Sequence, residues 1–412
     1  VGRAVREMEA VHRGFTGFML YDPDARKTKV AYQADRYFTP ASNTKILTLF
    51  AGLQLLGDSV PALRYAEIGD SLIIMGTGDP SLFSDRVFCD SRVKEFLTNH
   101  PFEIFLANAP ARFSHFGPGW AWDDYGNSYS PERSAFPVYG NLVKVKKGEG
   151  ARTLELKQSS FRRYIWLADS VEKEARAFRD HATNNVSYFP SSDPAAGEWD
   201  IPFRSSPILV ASLLSDTLHR PVRFLPRIPA ADFQVLKGVP ADSLYRVMMQ
   251  DSDNFIAEQI LIMASLALGD TLDPRAVIRH VQKQLLFDLP DALTWVDGSG
   301  LSRYNQFTPR SVVRVWDKIS ALIPERERLF SLLATGGVNG TVRSSYKPDA
   351  GEPPYIYGKT GSLRNNHCIS GYLIAKSGRT YIFSLMNSNF ATPNGELRKD
   401  MERVLRAVRD RY

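Results

Sequence analysis

Residues 39–50 read TPASNTKILTLF, with Ser42 three positions before Lys45 and an apolar run behind them. On a helix, positions i and i+3 share a face, so the Lys45 amine lies within reach of the Ser42 hydroxyl. Serine is a weak nucleophile until a base takes its proton. Lysine serves as that base once burial or a neighbouring cation has stripped its own proton. A plainer reading makes Ser42 the N-cap of a helix carrying Ile46, Leu47, Phe50 and Leu53. Histidine is the commoner base. The chain has seven histidines (His12, His100, His115, His181, His219, His280 and His367), none in a two-histidine helical metal pattern. G-x-S-x-G does not occur, and the DGSG at 297–300 lacks the first glycine of such an elbow. A serine–histidine–aspartate triad assembled in space stays open, though nothing in the string points to one.

Two later segments favour the lysine. DSDNF at 251–255 supplies S-D-N, with Ser252 and Asn254, and GKTGSL at 358–363 supplies K-T-G, with Lys359, Thr360 and Gly361. Single elements are common by chance: S-x-x-K recurs at Ser91, Ser170 and Ser344, and K-S-G at Lys376. Those copies lack a following apolar helix or lie in a hairpin turn. In the ordered set, Ser42 attacks a carbonyl, aided by the partial positive charge of a helix start. Lys45 accepts its proton, Ser252 relays a proton to the leaving nitrogen, and Asn254 bonds a substrate amide or Lys45. Lys359 adds a second cation that lowers the proton affinity of Lys45 and attracts a carboxylate. Gly361 lets a peptide lie against its strand as an added β-partner. The backbone N–H groups of Ser42 and Ser362 form an oxyanion hole, and the Thr360 and Ser362 hydroxyls bind a terminal carboxylate.

The surrounding chain must bring these segments together. RAVREMEAVHR predicts an amphipathic helix with Val5, Met8 and Val11 near one face, and a hairpin follows, turned at Asp22-Pro23-Asp24. Helical periodicity returns at ADSLYRVMMQDSDNFIAEQILIMASLAL and PRSVVRVWDKISALI. The end reads as strands YIYGKTGSL, CISGYLIAK and RTYIFSLMN, then a helix with Leu397, Met401, Leu405 and Val408 on one side. Between these parts, residues 66–235 alternate short strands with turn-rich stretches. This predicts an inserted, mostly β region dividing a first unit at 1–65 and 236–412. A chain of 412 residues with 43% hydrophobic content supports such sizeable cores. The charge excess is 51 − 45 = 6, spread without a basic run, which argues against nucleic-acid binding. No apolar run reaches transmembrane length, since Glu258 and Gln259 interrupt the strongest. Cys89 and Cys368 match no metal or redox spacing; each reads as a buried thiol, with a long-range disulfide as the alternative.

The motif set resembles the serine DD-peptidases of the penicillin-binding class, and within them the class C low-molecular-mass D-alanyl-D-alanine carboxypeptidase/endopeptidases. ASNTK, SDNFIAEQIL, DGSGLSRYNQFTPR, GGVNGTVR and GKTGSL are similar to blocks of that group, as is GTGDPSL in the insertion. The 252 − 42 = 210 positions between the two serines leave room for the group's inserted region. The resemblance implies an α+β penicillin-binding/β-lactamase-like transpeptidase domain: a five-stranded antiparallel sheet flanked by helices, with an inserted, mostly β region in which the family nests one subdomain within another. GWAWDDYGNSYSPERSAF is similar to a segment that folds over the active site. There Asp123 or Asp124 would bind the free amine of a peptidoglycan stem side chain, with Trp120 and Trp122 as walls. Met386 would line the same pocket or simply fill the core. The implied activity is hydrolysis of D-alanyl-D-alanine, and of D-alanyl–diaminopimelyl cross-links, through an acyl-serine that penicillins also form. Neither metal nor organic cofactor is expected. The implied site of action is the periplasm or cell surface, with the export signal outside these residues. Two rivals remain: a β-lactamase, with Y-x-N at Tyr125 or Tyr139 but no E-x-x-L-N, and a non-catalytic peptidoglycan-binding protein of the same fold.

Overall fold

The computed structural model describes residues 1–87, 91–148, 154–168, 170–191 and 196–412. One antiparallel sheet joins the two ends of the chain. Its order is Ala334–Thr335, Ile356–Leu363, Asn366–Ile374, Thr380–Ser388, Phe15–Asp22, Lys27–Tyr32. Five of these strands are those the sequence predicts, and the sixth, Ala334–Thr335, is a two-residue edge strand. Strand Thr380–Ser388 is buried over most of its length, because both sheet faces are covered. Alternate residues therefore feed different cores. Phe383 and Leu385 pack with Phe18, Leu20, Leu397, Met401, Leu405 and Val408 under the two terminal helices. Ile382 and Met386 pack with Cys368, Tyr372 and Trp316 under the helices that carry the motifs. The first helix, Gly2–His12, buries Val5, Met8 and His12. His12 takes the place expected for Val11, its ring bonding Thr392 and Asp400.

Helix Asn254–Ala264 is buried from Phe255 onward, all the way round. A helix without a solvent face sits in the middle of a molecule, so its polar residues need partners. Gln259 finds them in the carbonyls of Gly78 and Ser134, at 2.7 and 2.8 Å. Both lie in the region between the first two motifs.

That region has its own five-stranded sheet, in the order Val222–Leu225, Glu103–Ala107, Ser71–Gly76, Ser59–Ile68, Gln234–Pro240. The first two pairings are parallel and the others antiparallel. Its limits, 59 and 240, lie outside the expected 66 and 235. The sequence reading divides strands Ser59–Ile68 and Gln234–Pro240, which pair with each other and belong wholly to the insertion. Helices Ser91–Asn99 and Pro207–Leu218 pack against this sheet, in a region that among the described residues is built mostly of strands, as expected. Two three-stranded sheets complete its description. Cys368 is buried and free, its thiol pushed up to about 12 by burial, while Cys89 lies outside the described residues.

Candidate active site

Pro40 precedes a 3-10 turn, Ala41–Thr44, that runs without a break into helix Lys45–Leu55. Ser42 therefore sits inside the first turn and caps nothing. The Lys45 ammonium, fully buried, reaches the Ser42 hydroxyl at 3.0 Å. It also donates to Asn254 Oδ1 at 2.6 Å and to the Ser299 carbonyl at 2.7 Å. Those two oxygens can only accept. A neutral amine has two N–H groups and one lone pair. With both N–H groups given to Asn254 and Ser299, the lone pair is left facing the Ser42 hydroxyl. Burial lowers Lys45 to about 8, against the pull of the Asp253, Asp297 and Glu258 carboxylates. The amine thus loses its proton near neutral pH, as a general base requires.

Lys359 is also fully buried and donates to Ser252 Oγ at 2.9 Å and to the Thr360 carbonyl at 2.7 Å. Burial, and then the charge of Lys45, hold it well below the usual lysine range. What lowers Lys45 is burial; the charge effect expected of Lys359 on Lys45 is seen instead on Lys359. Ser252 stands between the two amines' territories with φ at +63°, a costly conformation for a serine. Next to it, Asp253 caps helix Asn254–Ala264 through the Ile256 N–H and pairs with Arg86 of the insertion at 2.8 Å.

The turn at 298–299 is a component the motif search does not find. Glu258 Oε1 accepts from the N–H groups of Gly298 and Ser299 at 2.9 and 2.7 Å, which aims the Ser299 carbonyl at Lys45. Glu258 Oε2 receives Arg133 of the insertion at 3.2 Å. Burial and the neighbouring Asp297 push this carboxyl upward. Asp297 closes the turn from below, accepting from Gly300 N–H, Ser302 N–H, the Asn305 amide and the Trp120 indole. The DGSG and SDNFIAEQ strings carry these residues, and a buried glutamate in an apolar helix is the signal that marks them.

Other expected roles change. A Cβ on Gly361 would lie 2.4 Å from the Pro40 carbonyl and 2.9 Å from the N–H groups of Ser42 and Asn43. This glycine lets its strand approach the serine turn, which is a different need from room for a peptide. Asn43 bolts the same approach, bonding the Lys359 carbonyl at 3.1 Å and Ser370 Oγ at 2.5 Å. Thr360 donates to Thr341 Oγ1, and Ser362 Oγ is paired with His367 Nδ1, both at 2.7 Å. Burial lowers His367 to about 3, so it is a neutral partner of Ser362 and more than packing. Met386 is wholly buried and packs in the core. Trp120 is tied to Asp297 at 2.9 Å, whereas Trp122 is 80% exposed and is no wall. Asp124 accepts from the Tyr129 hydroxyl at 2.7 Å, while Asp123 is exposed. The Tyr129 carbonyl accepts from Asn254 Nδ2 at 2.9 Å, which joins this segment to the site. A cleft of about 430 Å³ lies beside them, lined by Arg86, Tyr129, Ser252 and Asn254 among others.

The model of the D-Ala-D-Ala carboxypeptidase 3 (S13) family matches residues 2–176 and 227–408. The chain belongs to this family, within the low-molecular-mass class C penicillin-binding proteins, and is of the serine D-Ala-D-Ala carboxypeptidase type. The D-alanyl-D-alanine carboxypeptidase DacB of Haemophilus influenzae is 22% identical over 433 residues, spanning 94% of this chain and 88% of that protein. Carboxypeptidase DacB of Mycolicibacterium smegmatis is 32% identical over 180 residues, 42% of this chain but only 39% of its own length. Among solved structures, penicillin binding protein 4 of Haemophilus influenzae superposes with a TM-score of 0.78 at 16% identity, covering 98% of this chain and 99% of that one. A predatory peptidoglycan endopeptidase of Bdellovibrio bacteriovorus gives 0.52 at 15% identity, covering 95% and 92%. At such identities the likeness of the structures is one of fold.

Proposed function

We propose that this chain removes the terminal residue from D-alanyl-D-alanine stem peptides of peptidoglycan, and cuts D-alanyl–diaminopimelyl cross-links, through an acyl-Ser42 intermediate. The observation that carries the reading is Lys45, buried against two obligate acceptors with its lone pair toward Ser42. Neutral Lys45 takes the Ser42 proton as the oxygen attacks the penultimate carbonyl. The N–H groups of Ser42 and Ser362 receive the charge that develops on the carbonyl oxygen. The proton taken by Lys45 passes by way of the Ser252 hydroxyl, bonded to Lys359, to the departing amine, which leaves as D-alanine and returns Lys45 to its neutral form. Water then attacks the ester, and Lys45 takes its proton and hands it to the Ser42 oxygen as the acyl bond breaks. Thr360 and Ser362 hold the terminal carboxylate, and Asp123 or Asp124 takes a stem side-chain amine. Residues 1–58 and 241–412 form the catalytic unit in this reading, with the insertion between them.

Penicillins acylate the same serine. Class A β-lactamases add a glutamate beside the lysine to speed the attack of water, and the carboxylates around Lys45 here are committed elsewhere. Asp253 is held by Ile256 and Arg86, Glu258 by the 298–299 turn and Arg133, and Asp297 by its loop. Deacylation of a bound penicillin is therefore slow. The substrate places the protein outside the cytoplasmic membrane, in the periplasm or at the cell surface. Among the described residues no helix is long and apolar enough to cross a membrane. Mass spectrometry of purified muropeptides after digestion tests the reading. Loss of one alanine from pentapeptide stems, abolished in Ser42→Ala, is expected; unchanged pentapeptides and cross-links would refute it.

A further inference from the structure

Two arginines of the insertion, Arg86 and Arg133, reach carboxylates of helix Asn254–Ala264 and its cap. Arg86 donates to Asp253 Oδ2 at 2.8 Å, and its other nitrogen lies 3.4 Å from Asp200. Arg133 donates to Glu258 Oε2 at 3.2 Å and, through Nε and Nη2, to the carbonyls of Ser114 and Phe116. We propose that the insertion takes part in the chemistry through this pair: Arg86 and Arg133 are positioning residues that neutralise Asp253 and Glu258 and so keep Lys45 able to act as a base. The proposal rests on the reading of Lys45 as the general base.

Asp253 adjoins Asn254, which bonds Lys45, and Glu258 and Asp297 hold the turn whose Ser299 carbonyl bonds Lys45. The charges of all three act on the amine, and the ammonium of Lys359 is buried close by. Each carboxylate favours the protonated amine, the form that cannot accept from Ser42. Asp297 is held by neutral donors close to the site. The other two each give one oxygen to backbone N–H groups and the other to a guanidinium. A guanidinium on the carboxylate offsets its negative charge as felt by Lys45, and an arginine keeps its charge at any working pH. Glu258 also fixes the 298–299 turn, so Arg133 secures the position of the Ser299 carbonyl that Lys45 uses.

The test follows the acylation of Ser42 by benzylpenicillin across the range from about pH 5.5 to about pH 9.5, for variants acting in opposite directions. The Arg86 side chain is 37% exposed, so Arg86→Gln leaves no buried hole. With Asp253 unpaired, the acid limb of acylation moves to higher pH by about half a unit or more, a loss of about threefold below the limb relative to the variant's own plateau. Arg86→Lys restores the charge and the wild-type limb. Glu258→Gln removes a carboxylate from the other side and moves the limb to lower pH. A merely structural role would scale the rate equally at all pH, and that result, or limbs unmoved in both variants, would overturn the proposal. A wild-type profile without an acid limb, or undiminished acylation in Lys45→Ala, would instead overturn the reading of Lys45.

Discussion

Lys45 and Lys359 are both wholly buried, yet their hydrogen-bond partners are neutral oxygens. A lysine in such surroundings spends its desolvation on losing a proton, which is a cost to folding and a gain to chemistry. The reactive form is the neutral amine, present above the folded value and lost as pH falls through it. Acylation of Ser42 by penicillin therefore rises about tenfold per pH unit below about 8 and levels above it, as stopped-time mass spectrometry over a pH series will show. Asn254 supplies one of the two acceptors that turn the lone pair toward Ser42. Asn254→Ala is expected to slow acylation by about 10²-fold or more, with the folded content unchanged by circular dichroism.

Two elements, the serine turn Ala41–Thr44 and strand Ile356–Leu363, meet at backbone distance. Gly361 permits the contact and Asn43 fastens it. Gly361→Ala puts a methyl group 2.4 Å from the Pro40 carbonyl, so the turn and strand must part. The expected result is near-complete loss of penicillin acylation in a protein whose spectrum stays folded. Asn43→Ala leaves buried groups of Lys359 and Ser370 unsatisfied and costs about 1–3 kcal/mol, readable as a lowered unfolding midpoint in urea. Ser42, Lys45, Ser252, Asn254 and Lys359 were legible because each motif is short and rigidly spaced on one element. The reason for Gly361 was not, since a clash between segments 320 positions apart has no local trace. Glu258 was legible only as an anomaly, a charge inside an apolar helix. The Ser299 carbonyl was not legible at all, because main-chain groups carry no letter. Met386 takes the plainer of its two readings: on a doubly covered strand, alternate residues face different cores, and it packs with Cys368, Tyr372 and Trp316 beneath the motif-bearing helices.

At the scale of the whole molecule, the insertion and the catalytic sheet meet along one buried helix. Gln259, Glu258 and Asp253 take partners from Gly78, Ser134, Arg133 and Arg86. The change in texture along the chain marks the stretch that carries the second five-stranded sheet. Where that sheet begins and ends leaves no such trace, because strands Ser59–Ile68 and Gln234–Pro240 look alike whichever sheet they join. Replacing residues 59–240 by a short linker strips these partners and bares an apolar helix to water. Such a chain is expected to recover little soluble protein and to bind no penicillin, which expression and mass spectrometry will show; a soluble, acylated core would contradict it. The account as a whole comes down to one oxygen atom. Intact-protein mass after treatment with benzylpenicillin should increase by one antibiotic molecule, retained for many minutes, mapped by peptide digestion to Ser42 and absent in Ser42→Ala. A folded protein that gains no mass, or an adduct that survives in Ser42→Ala, would contradict it.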